Sequence, residues 1–321
     1  MIYPSFITPV QDCIPLVEEK LRAQPDEHHP TLGAALHHLL SSGGKRIRVV
    51  LTLLTGTMLG ADQGKLITLA ASIEALHTAT LVHDDLIDGA LIRRGIPTLN
   101  AQWSPAATVL TGDFIFAQAA RLAAETGSVA VMKLFSETLA TIVNGEINQL
   151  FGTRWIASRD NYYRRIYAKT ASLFETATTS SALLSSVSED IVNIVKSFGY
   201  EIGMAFQIMD DILDFTGVQT AMGKPVASDL RQGLITLPAL YYLEEHPDDQ
   251  NMQAILSSNF SDEERIEQIL ASIRSSGAIE KSIQEARQAV LRGLHVLENL
   301  QETVERRALE GLANYVVERE I

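Results

Sequence analysis

The sequence predicts an all-α fold, and three observations carry that prediction. Strand-like alternation is scarce, apolar residues recur at threes and fours over long stretches, and Gly and Pro gather between those stretches. From Gly64 to Asp88, Leu66, Leu69, Ile73, Leu76, Thr80 and Ile87 follow that spacing apart from one longer step, as one face of a helix requires. The same pattern runs roughly over 45–60, 106–125, 129–152, 160–186, 189–216 and 277–317. Gly43-Gly44, Gly95-Ile96-Pro97, Gly217, Gly223-Lys224-Pro225 and His246-Pro247 punctuate it. No Gly-, Ser- or Pro-rich linker, low-complexity tract or internal repeat interrupts the chain, so one domain over residues 1–321 is expected. Long helices of this kind pack around a central space and place their sites on facing helices.

Composition narrows the function. Of 321 residues, 46% are apolar and 20% charged, enough apolar surface to offset the entropy of ordering the chain. The net charge of −13 leaves no global basic footprint for nucleic acid or anionic lipid, although a local basic pocket is compatible with it. A single cysteine, Cys13, excludes an internal disulfide and Cys-rich metal sites. The N-terminus has no basic segment followed by a continuous apolar run, and apolar runs elsewhere are broken by charges short of the ~20 residues of a bilayer span. A soluble, cytoplasmic protein is expected.

Polar residues that break the apolar stripe at helical spacing then mark candidate chemistry. Asp84-Asp85-Leu86-Ile87-Asp88 is a DDxxD sequence, and Asp84 and Asp88 lie one turn apart on a face shared with His77 and Leu81. A second copy, Asp210-Asp211-Ile212-Leu213-Asp214, has Gln207 one turn before it. Such pairs repel unless neutralised, and they suit Mg²⁺, a hard ion held by one or two carboxylates plus substrate phosphates. One copy alone would be as well explained by a solvated acidic helix end; two copies in apolar helices are not.

The sequence also supplies cations for a diphosphate. Ser42-Gly43-Gly44-Lys45-Arg46-Ile47-Arg48 sets Lys45 and Arg48 at a helix start, where backbone N–H groups and the dipole favour anions, without P-loop spacing. Arg93-Arg94-Gly95 follows the first acidic motif, and Arg suits forked contacts with phosphate oxygens. Lys169-Thr170 and Lys224 come later; each alone reads as a surface charge, and their weight lies in the set.

These residues resemble the trans-isoprenyl diphosphate synthase (polyprenyl synthetase) family, and within it the medium- and long-chain synthases. GGKRIR, HTATLVHDDLIDGALIRRG, GDFIFAQA, GEINQ, KTASLFE, AFQIMDDILDFTG, GKPVASDL and LANYVVERE occur in the family's order from Gly43 to Glu320. The resemblance implies an all-α homodimer with substrate in a deep central cavity. It also implies a reaction in which an allylic diphosphate ionises, isopentenyl diphosphate attacks the cation at C1, and a proton is lost. The implied metal set is Asp84, Asp85, Asp88, Asp210, Asp211 and Asp214: Asp84 and Asp88 for two Mg²⁺, Asp210 for a third, with Asp85 and Asp214 in support. Arg93 would bind the allylic diphosphate, and Lys45, Arg48, His77 and Arg94 isopentenyl diphosphate. Lys169, Gln207 and Lys224 would steady the leaving diphosphate, and Thr170 with Gln207 would face the developing cation. No protein base is assigned, the released diphosphate being the expected proton acceptor. Many relatives carry Lys where this chain has Leu234; Arg231 is the candidate replacement contact.

In the family, a large side chain five residues before the first Asp stops chain growth early. Here that position is Ala79, about 7–8 Å along the helix. Thr80, Ala75 and Ser72 nearby are also small, Leu76 is the main obstacle, and the Lys169 helix continues with Ala177-Thr178-Thr179-Ser180-Ser181-Ala182. A product longer than C15 is expected, released with at most transient membrane contact, although small residues also serve merely to let helices approach. The alternatives are a terpene cyclase, which needs no isopentenyl site, and a non-catalytic partner subunit, which would ordinarily have lost aspartates or the Arg93-Arg94 pair. His28, His29, His37 and His38 carry no metal assignment.

Overall fold

A computed structural model describes residues 4–22, 30–41, 46–93, 95–151, 157–217, 226–257 and 262–318. Helices α1 (Ile14–Arg22), α2 (Pro30–Ser41), α3 (Ile47–Met58) and α4 (Gln63–Ile87) follow a 3₁₀ segment, Ser5–Cys13. A minimal hairpin, β1 (Ile92–Arg93) and β2 (Ile96–Pro97), precedes α5 (Leu99–Gln102), α6 (Pro105–Glu125) and α7 (Val129–Phe151). Then come α8 (Arg159–Ile166), a π turn (Tyr167–Ala171), α9 (Ser172–Leu183) and α10 (Glu189–Thr216). Helices α11 (Ser228–Arg231), α12 (Leu237–Glu245), α13 (Gln250–Leu256), α14 (Glu263–Ser275), α15 (Ala278–Leu297) and α16 (Val304–Val317) complete the all-α chain. The stretch expected as one helix over 160–186 is two, joined by the π turn.

The chain forms two compact units. One comprises Met1–Thr138, Leu173–Gly199 and Val296–Leu312. Its core helix is α4, capped at its start by the Asp62 carboxylate, which accepts from the Lys65 N–H at 2.9 Å. Leu66, Leu69, Ile73 and Leu76 are fully buried, and α4 is apolar on all sides, as a helix surrounded by others must be. By length and composition α4 also passes as a membrane span; two thirds of its most apolar window is buried within the fold, so the feature is that of a core helix. Among its buried polar residues, Glu74 is neutralised by Arg46 at 2.5 Å. Helix α6 packs closely on α4: Ser72 donates to the Ala119 carbonyl at 2.7 Å, and any Cβ on Gly112 would collide with the His83 ring.

The other unit comprises Leu139–Ser172, Tyr200–His295 and Ala313–Ile321. Its core gathers Tyr162 and Ile166 of α8, Ile208, Met209, Ile212 and Phe215 of α10, and apolar residues of α12 to α15. Helix α11 begins after Ala227, which takes a left-handed φ of 54°.

Candidate active site

Both aspartate motifs occupy the C-terminal turns of long apolar helices, where the helix dipole favours cations and disfavours carboxylates. Each motif therefore creates a demand for positive charge. Helix α4 ends as Gly89 turns to φ +64°, just beyond Asp88, leaving Asp88 exposed, Asp84 half-buried and Asp85 buried. The hairpin returns Arg93 to Asp85, with Nε and Nη2 both 2.8 Å from Oδ1. Asp85 and Arg93, expected as a metal support and a diphosphate ligand, are thus ion-paired with each other.

Two of the residues assigned to isopentenyl diphosphate also meet. Arg48, in the first turn of α3, places Nη1 3.2 Å from His77 Nε2 of α4, and its guanidinium lies 4.8 Å from the centre of the Phe174 ring. The turn into α3 passes through Arg46 at φ +48°, held by Glu74. Lys45, Arg94 and Lys224 lie outside the described residues.

In the second unit Lys169 and Thr170 sit on the π turn, an irregularity that recurs at functional sites. Lys169 Nζ is 3.6 Å from Glu146 Oε1. Thr170 Oγ1 donates to Gln207 Oε1 at 2.6 Å, Gln207 Nε2 donates to Asp211 Oδ1 at 2.7 Å, and Tyr162 donates its hydroxyl proton to Asp211 Oδ2 at 2.8 Å. Burial, reinforced by the Asp229 carboxylate, raises the Asp211 pKa; Arg165 and the two donors oppose the shift. Asp214 accepts the Ser228 and Asp229 backbone N–H groups at 3.1 Å each and so caps α11. Asp210 is half-buried.

Three placements bear on the sequence expectations. Asp211, grouped with the metal ligands, has both oxygens committed to Gln207 and Tyr162, because it points into the core. Arg231, the candidate replacement for the missing Lys at Leu234, is drawn instead to Glu263 and Glu267. On α4, Ala79 shares a face with Ser72 and His83, which both touch α6, so a small side chain there also suits close helix packing. Leu76 and Ala79 are fully buried, Thr80 half-buried, and Ala75 lines a small cavity with Leu36, Leu39, Ile115 and Leu122. Sequence reasoning missed Tyr162 and Glu146; the GEINQ motif contained the second, but no spacing rule across a π turn could have found the first.

The donor set fits Mg²⁺ by its chemistry. It offers carboxylate oxygens one turn apart at Asp84 and Asp88 and again at Asp210 and Asp214. Such a set suits an ion that brings water and phosphate oxygens with it.

Comparison with known proteins adds what the chain is similar to. Residues 29–273 match the polyprenyl synthetase family model. The chain is 37% identical over 314 residues to heptaprenyl diphosphate synthase component 2 of Geobacillus stearothermophilus, covering 97% of each. It is 35% identical over 286 residues to octaprenyl diphosphate synthase of Escherichia coli strain K12, covering 88% of each. Among solved structures, a polyprenyl synthase from Caulobacter crescentus CB15, complexed with calcium and isoprenyl diphosphate, superposes with a TM-score of 0.92 at 30% identity over 99% of both chains.

Proposed function

The chain belongs to the polyprenyl synthetase family and is a trans-polyprenyl diphosphate synthase; on that premise we propose that it condenses isopentenyl diphosphate with an allylic diphosphate to give all-trans products longer than C15. The observation that carries the reading is the pair of aspartate motifs, each on the last turns of an apolar helix. Asp84 and Asp88 would hold two Mg²⁺ and Asp210 a third, and Mg²⁺, when bound, supplies positive charge that stabilises the departing diphosphate. Arg48 and His77, with Lys45 and Arg94, hold isopentenyl diphosphate. Arg93 shifts from Asp85 to the allylic diphosphate as substrate arrives. Lys169 and Lys224 steady the diphosphate as the C1–O bond breaks with its electron pair. Thr170 and Gln207 face the allylic cation until the isopentenyl double bond attacks C1 and the proton leaves to the released diphosphate. Apolar walls keep water from the cation.

Product length beyond C15 is supported by the hepta- and octaprenyl activities named for the relatives and by the small residue at Ala79. We further propose a single-domain cytoplasmic homodimer. The homodimer is supported by an exposed apolar stripe on α7, where Val143, Ile147 and Leu150 follow at fours and threes. The word "component" in the name of the Geobacillus relative favours a second reading, in which a different polypeptide completes the enzyme. The purified chain alone, stripped with chelator, is expected to incorporate labelled isopentenyl diphosphate only when Mg²⁺ and an allylic primer are restored. Turnover that appears only on adding a second polypeptide would favour the heteromer.

A further inference from the structure

Tyr162 is buried to within 1% of full enclosure and donates its hydroxyl proton to the Asp211 carboxylate. That contact begins a chain of three hydrogen bonds. The Gln207 amide donates its NH₂ to Asp211 Oδ1. Its carbonyl is left for Thr170, whose hydroxyl must donate to it. Having spent its single proton there, the Thr170 oxygen has only lone pairs to offer in other directions.

The backbone is built to make this alignment. Tyr162 and Thr170 are eight residues apart, which on a regular α-helix would set them about 80° out of register. The π turn at Tyr167–Ala171 absorbs one residue, so the pair behaves as if seven apart and returns to within about 20° of one face. On α10, Gln207 and Asp211 are one turn apart, so two rungs form: Tyr162 with Asp211, and Thr170 with Gln207.

We propose that Tyr162 is a positioning residue for prenyl transfer: acting through Asp211 and Gln207, it holds the Thr170 hydroxyl with its lone pairs turned to the developing allylic cation. The proposal rests on the reading that Thr170 and Gln207 face that cation, and it assigns Asp211 to orientation. Without the Tyr162 donor, the Asp211 carboxylate is held at one oxygen only and can swing away from Gln207; the amide is then free to rotate and Thr170 to turn its proton toward the substrate, replacing a partial negative charge with a positive one.

The test is a double-mutant cycle on the full-length protein. Tyr162→Phe is expected to lower kcat about tenfold while the KM values for both diphosphates stay within about twofold. Thr170→Val should lower kcat at least as far, and Tyr162→Phe/Thr170→Val should match Thr170→Val to within about twofold. A merely structural role for Tyr162 would make the two losses multiply, and that result would overturn the proposal, as would wild-type kcat in Tyr162→Phe. Asp211→Asn, run in the same cycle, keeps the test decisive should Tyr162→Phe fail to fold: loss multiplied with Thr170→Val counts against the proposal, loss shared with it counts for it. Failure of the underlying functional reading would show separately, as absence of Mg²⁺-dependent elongation in the unaltered protein.

Discussion

Arg231 and Asp85 show how far a residue's role depends on what else reaches it. Sequence position made Arg231 the natural stand-in for a diphosphate-binding Lys, three residues before Leu234, yet its guanidinium is taken up by Glu263 and Glu267. Arg231→Gln should therefore leave the allylic KM within about twofold and cost about 1 kcal/mol or less, since the glutamates are exposed. Steady-state kinetics and a thermal melt check this; a tenfold rise in KM would restore Arg231 to the substrate site. Asp85, a motif position implied to support metal, rests as the buried partner of Arg93. The candidate aspartates and His77 could be grouped from sequence because spacing on a helix fixes which side chains share a face. The resting partners of the arginines could not, because Glu263, Glu267 and Asp85 reach them through tertiary packing.

At the scale of elements, the helical periodicity predicted the long helices well and their irregularities poorly. The π turn that carries Lys169 and Thr170 leaves no trace in a 3.6-residue pattern, and Tyr162 was invisible for that reason. Close approach of α4 and α6 was equally hidden, since a glycine in a helix announces a contact only when its partner is known. Gly112→Val should clash with the His83 ring and destabilise the fold by about 2–3 kcal/mol, read as a lower urea midpoint with an unchanged slope. The same face bears on product length. Ala79→Tyr is expected to shorten the product, and because Ala79 shares its face with Ser72 and His83, it should also lower the melting temperature. An unchanged product in a folded Ala79→Tyr protein would remove Ala79 as the length determinant and leave it a packing residue.

For the whole molecule, the acidic charge and single cysteine narrowed the field without naming a reaction; the ordered motifs from Gly43 to Glu320 named it. Assembly was less legible, because an apolar stripe on a helix reads the same whether it meets a core or a second subunit. The proposed homodimer is tested by light scattering: the unaltered protein should be a dimer and Ile147→Arg, in the middle of the α7 stripe, a monomer, whereas a dimer that survives the substitution would place the interface elsewhere. The central claim is head-to-tail elongation past C15 by this chain. Its most direct test is to incubate the purified protein with Mg²⁺, labelled isopentenyl diphosphate and, separately, C10, C15 and C20 allylic primers, and then to size the dephosphorylated products. A ladder that extends beyond C20 from each primer is the predicted result; no elongation from any primer, in a folded protein, would contradict it.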